Sequence, residues 1–169
     1  MKKKKHNLWW PLLFLLAAGF LLHFLYNWSG KLAVLIPFCV TDESIFQHGK
    51  LLFWPLSIGF LLFSLQKEYS IRQTALAAAF SSVSAVILMT FLFYTYYYGF
   101  QIHAPWVNIV NFIFSCFTGY GIGLYGLKNA QRLPTPFIIL CYLLFFFFLF
   151  AYFSFRLQPP QLSFFIPQA

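Results

Sequence analysis

The side chains able to do acid–base or ligand chemistry are few in this sequence, and most belong to three short stretches: His23, Asp42 and Glu43 with His48 and Lys50, and His103. Neutral imidazole and carboxylate are the donors that suit a divalent ion such as zinc. Either Glu43 or His48 would serve as a general base, with a metal or Lys50 stabilising developing charge. Lys50, together with Trp28 and Asp42, would suit binding of a lipid phosphate, a carboxylate or another small polar ligand. The densest stretch is TDESIFQHGK, residues 41–50. Thr41 or Asp42 is a good helix N-cap, and adjacent acids suit the positive end of a helix dipole. On a straight helix Glu43 and Gln47 share a face, whereas His48, five residues after Glu43, points about 140° away. This is not H-E-x-x-H, where both histidines share a face. A metal site must therefore recruit His23 or His103 from other elements, giving His23, His48 and His103 as metal ligands and Glu43 and His48 as catalytic candidates.

Each residue also has a plainer reading. His23 suits a bundle histidine bonded to a carbonyl or to Glu43, and His103 suits an interfacial loop residue. Lys50 either snorkels to the interface or pairs with Glu43 or Asp42. His6, inside a lysine tail, is solvated. The run Tyr94, Tyr96, Tyr97 and Tyr98 fits an interfacial aromatic belt. Cys39, Cys116 and Cys141 form no C-x-x-C and read as small apolar packing residues.

The elements that must carry these residues follow from composition. The chain has 169 residues, 61% hydrophobic, with 25 Phe, 11 Lys or Arg and only 3 Asp or Glu. Mean hydropathy is +0.75. Charged residues make up 8%, against about 25% in a soluble domain. That excludes a water-soluble enzyme, and the high hydrophobicity excludes a disordered chain. The basic residues form a tail and scattered loop positions, with no basic helix face, so nucleic acid is not a partner. The lipid bilayer is.

Five segments, roughly 8–27, 45–65, 74–98, 106–126 and 135–155, are long and apolar enough to cross a bilayer. Backbone groups in lipid must be satisfied within the segment, so these are helices. The sequence predicts one all-α transmembrane domain, a polytopic helix bundle of about five spans. The N-terminal run continues past the length of a secretory signal without an A-x-A-like site, so it reads as an uncleaved first span. Lys2–Lys5, Lys67, Arg72, Lys128 and Arg132 fall on one side. The positive-inside rule makes that side cytoplasmic, with the N-terminus inside and the C-terminus outside the cell membrane. His23, residues 42–50 and His103 then share the outer side. Residues 31–40 are too short to span and read as an interfacial or re-entrant segment. The tail after Arg156 reads as extended, with Phe164 and Phe165 along the lipid interface. Pro55 should kink the second span and free the carbonyl near Leu51. Gly119 and Gly123 form a G-x-x-x-G pair that packs helices within the bundle or joins two copies as a homo-oligomer.

Two blocks carry a family resemblance. His23-Phe-Leu-Tyr26-Asn-Trp28-Ser-Gly30 and Asp42-Glu43-Ser44-x-x-Gln47-His48-x-Lys50-Leu-x-Phe53-x-Pro55 resemble an uncharacterised group of small bacterial membrane proteins, domain of unknown function 6512. That group reads H-x-x-Y-x-W-x-G, then P-V-N-E-S-V-W-E-H-L-K-L-x-F-x-P. The likeness continues through Phe93–Gly99, His103 and Pro159–Pro160, and so covers most of the chain. Gln47 stands where the family usually has glutamate, Phe46 where it has tryptophan and Gly49 where it has leucine. The resemblance brings no assigned reaction. Three functions stay open: a polar outer pocket binding a ligand or divalent metal, a membrane enzyme acting on a lipid or envelope substrate, and an accessory subunit without its own chemistry. No G-x-S-x-G is present to favour the second.

Overall fold

The computed structural model describes residues 9–62, 69–155, 160, 162 and 164–167. The lysine tail, His6, Lys67, Arg156 and Pro159 lie outside the described residues. All described elements are helical. They are α1 (Trp9–Trp28), a 3₁₀ turn (Ala33–Leu35), α2 (Ile45–Leu62), α3 (Ile71–Tyr94) running into a π turn (Thr95–Gly99), α4 (Pro105–Asn129) and α5 (Thr135–Ser154). Five helices are long and apolar enough to cross a membrane. Boundaries agree with the sequence expectation to within a few residues, because run length and the punctuation by Ser70, Pro105 and Pro134 carry most of that information.

α2 and α3 form the centre. About 67% of each of their spans is buried inside the protein, against 17% for α1 and α5. α3 packs most extensively on α4 and then on α2. The small residues of α3 explain this: Ala77, Ala78, Ala85, Ser81 and Ser82 are all buried, and they meet the glycines of α4. A β-carbon at Gly119 would sit 2.6 Å from Ala85 Cβ and 2.8 Å from the Ser81 carbonyl. One at Gly123 would sit 2.8 Å from Ser81 Cβ and collide with the Phe60 ring. The Gly119–Gly123 face thus packs against α2 and α3 of the same chain.

Two close approaches seat the helices that carry the site. Pro55 has no N–H to offer the Leu51 carbonyl, and that oxygen lies 2.9 Å from where a β-carbon of Gly19 would be. Gly19 therefore lets α1 lie directly on α2, and His23, one turn further along, shares that face. Gly49 likewise leaves room for the Tyr152 hydroxyl, which lies 2.6 Å from its β-carbon position.

Phe164 and Phe165 of the C-terminal stretch cover the start of α2. The Phe46 N–H donates to the Phe164 carbonyl at 3.2 Å, and the Phe46 and Phe165 rings are 4.6 Å apart. A helix start leaves its first N–H groups without intrahelical partners, so the tail satisfies one while packing two half-buried aromatic rings against Phe46. Residues 31–40 contain the 3₁₀ turn, with Val34 exposed and Ile36, Cys39 and Val40 buried.

Candidate functional site

The local fold around residues 42–50 begins with caps. Ser44, rather than Thr41 or Asp42, is the N-cap of α2: its hydroxyl accepts the Gln47 N–H at 3.3 Å. Asp42 Oδ1 accepts the Ser44 N–H at 2.9 Å, a turn that precedes the helix. Glu43 therefore lies outside the helix, and the 140° argument does not apply to it. Its Oε2 reaches His48 Nε2 at 3.3 Å. The separation expected from a straight helix fails because the helix starts two residues later than that geometry assumes.

His48 is oriented from behind. Its Nδ1 lies 2.9 Å from the Ser44 carbonyl, so the Nδ1–H donates there and Nε2 carries the lone pair when the ring is neutral. A second hydrogen bond of this kind commonly fixes the tautomer of a metal-binding histidine. His23 comes across from α1, its ring centroid 5.4 Å from that of His48. His23 Nε2 is 4.0 Å from Glu43 Oε2, and its Nδ1 is buried without a hydrogen-bond partner. Ligand atoms of His23, Glu43 and His48 all lie within 4.8 Å of one another. Tetrahedral zinc, with bonds of about 2.0–2.1 Å, separates its ligand atoms by about 3.3 Å. The Glu43–His48 pair already has that spacing, and Glu43, 63% exposed, is free to swing toward His23. The hydrogen bond with His48 holds the Glu43 carboxyl below its ordinary value, against the opposing effect of its partial burial.

Two clefts meet at this cluster. One, of about 190 Å³, is lined by Glu43, His48, Tyr96, Tyr97, His103, Asn108 and Asn111 among others. The other, of about 290 Å³, is lined by His23, Glu43 and His48 together with Phe20, Phe24, Leu51, Ile109 and Phe112. The ends of α1 and α3 and the starts of α2 and α4 thus lie at one end of the bundle. The π turn at Thr95–Gly99 sets Tyr96 and Tyr97 into the first cleft. Its extra residue shifts helical phase, a device often found at functional sites. The Tyr96 hydroxyl is hydrogen-bonded to Asn108 Oδ1. Asn111 Nδ2 donates to the Met89 carbonyl at 3.0 Å, and the Ser115 hydroxyl to Asn111 Oδ1 at 3.2 Å.

The other sequence candidates are placed differently. His103 lines the first cleft, its ring 4.3 Å from Tyr97, but it is not part of the ligand cluster. Trp28 is 70% exposed and stacks on Phe24. Asp42 is committed to its turn. Lys50 neither snorkels nor pairs with an acid. It is fully buried, and its ammonium donates to the carbonyls of Ile36 (2.6 Å) and Cys39 (3.2 Å) and to Gln47 Oε1. The Phe46 and Tyr152 rings lie about 6 Å away, a distance at which cation–π attraction acts. Three protons meet three acceptors, so Lys50 staples residues 36–39 to α2 and lines neither cleft.

Tyr96 and Tyr97, expected in an interfacial belt, line the first cleft, and Asn111 joins them there. The available signal was Asn108 and Asn111, three apart on an otherwise apolar helix and so on one face.

A family model described as a family of unknown function, DUF6512, matches residues 1–169, and the chain belongs to that family. Neither the curated proteins nor the solved structures contain a match.

Proposed function

We propose that this DUF6512 member is a metal-binding membrane protein in which His23, Glu43 and His48 hold one divalent cation of the zinc type. The observation that carries this reading is the convergence of three ligand atoms, from α1, α2 and the segment before α2, within 4.8 Å. Two features support it. His23 Nε2 comes only as near as 4.0 Å to Glu43 Oε2, which leaves its lone pair available to a cation. The Ser44 carbonyl fixes His48 in the tautomer a metal uses. The positive-inside rule places the cluster at the extracytoplasmic face of a cell membrane.

Competition between the detergent-purified protein and a chromogenic zinc chelator tests the reading. Stoichiometric zinc uptake that falls by at least about a hundredfold in affinity in His48→Ala is expected. Uptake that is absent, or equal in wild type and His48→Ala, overturns it.

A further inference from the structure

We propose that the bound cation receives the head group of an anionic amphiphile, with the oxyanion at the metal and the chain in the cleft between α1 and α4. This inference rests on the metal reading above and names the class of ligand that the site takes.

Three protein ligands leave a fourth position open on a zinc-type ion. Two neutral imidazoles and one carboxylate leave a divalent ion with net positive charge, so an anionic oxygen is the natural fourth ligand. The two clefts share Glu43, His48, Pro105, Asn108 and Phe112, so both lead to that position, and the rest of their linings differ in character. One presents the Tyr96–Asn108 hydrogen-bonded pair and His103. The other presents Phe20, Phe24 and Ile109, each 43–50% exposed on the membrane-spanning part of the bundle. A charged centre flanked by a cleft of mixed polar and apolar lining and by a mainly apolar cleft matches a molecule with a charged head and a hydrocarbon chain. A free small anion would leave the apolar cleft unused. Each methylene buried there raises affinity about fourfold.

The test uses palmitate carrying a mid-chain diazirine, photolysed with the detergent-purified protein, either zinc-loaded or chelator-stripped. Peptides containing residues 20–24 and 109–112 should be labelled, with labelling falling at least about tenfold on zinc removal. Unlabelled palmitate should compete, whereas acetate, an oxyanion without a chain, and hexadecanol, a chain without an oxyanion, should not. Labelling that ignores zinc, or that spreads over lipid-facing α5 residues such as Phe146 and Phe150, overturns the proposal. Acetate competing as well as palmitate identifies a free-anion site and also overturns it. Zinc content is read in the same samples: zinc bound without zinc-dependent labelling sinks the amphiphile alone, and no zinc bound sinks both readings.

Discussion

Nε2 of His48 lies 3.3 Å from Oε2 of Glu43, although the two residues are five apart in sequence. The contact exists because Glu43 precedes the first residue of α2 while His48 sits within its first turns. A helix end, rather than a helix face, builds the pair. In the proposed metal site Glu43 is the anionic ligand; with no cation bound, it accepts a hydrogen bond from Nε2 of His48 when that ring is protonated.

The pair sets a pH dependence with a definite sign. Glu43 has its carboxyl value lowered in the folded protein, chiefly by the His48 hydrogen bond. Its stabilising contribution is therefore complete above the ordinary carboxylate value, about 4.3, and is lost as pH falls through the lower folded value. Thermal unfolding of wild type and Glu43→Gln from about pH 6 down to about pH 3 checks this. The difference in Tm should be small, because Glu43 is mostly exposed, and should shrink toward zero in acid. A difference that grows in acid contradicts the assignment.

Lys50 should behave as a structural residue. Lys50→Met removes the donor to two backbone carbonyls and to Gln47, leaving buried acceptors unpaired, at a cost of about 3 kcal/mol. Hydrogen exchange should show residues 33–40 losing protection first, since the staple ends at Ile36 and Cys39. Unchanged unfolding in Lys50→Met would contradict that role.

The glycines of α4 should divide by environment. Gly119→Ala places a methyl group 2.8 Å from a backbone carbonyl and 2.6 Å from another methyl, and overpacking of this kind costs about 1–3 kcal/mol. Gly121→Ala meets nothing within 4 Å and should be neutral or slightly stabilising. Thermal unfolding of the two variants separates them, and equal destabilisation would contradict the packing described.

Orientation is tested by labelling. In intact cells, a membrane-impermeant maleimide should modify Leu32→Cys, which is 54% exposed in the segment after α1. It should not modify a cysteine at exposed Lys128 until the membrane is opened. The opposite pattern reverses the topology and moves the proposed metal centre to the cytoplasm.

The helices were legible because a bilayer imposes a length and forbids lone polar backbone, and both demands are written in composition. The site was legible in part. His23, Glu43 and His48 stood out as ionisable groups in an apolar chain, but their convergence depends on where α2 starts. That boundary turns on which of Thr41, Asp42 and Ser44 supplies the cap, and all three are good cap residues. Lys50 was misplaced for a related reason. Two of its three acceptors are the backbone carbonyls of Ile36 and Cys39, and a carbonyl has no signature in the side-chain sequence. The covering of Phe46 by Phe164 and Phe165 was hidden in the same way, since aromatic residues near a membrane suit an interface and a core equally well.

X-ray absorption of the zinc-loaded protein reads the proposed ligand set itself. One zinc ion per chain is expected, with imidazole scattering from two histidines and a light oxygen shell, zinc–ligand distances of about 2.0–2.1 Å, and loss of one imidazole in either His23→Ala or His48→Ala. A spectrum of fully hydrated zinc, or one unchanged by both substitutions, would contradict it.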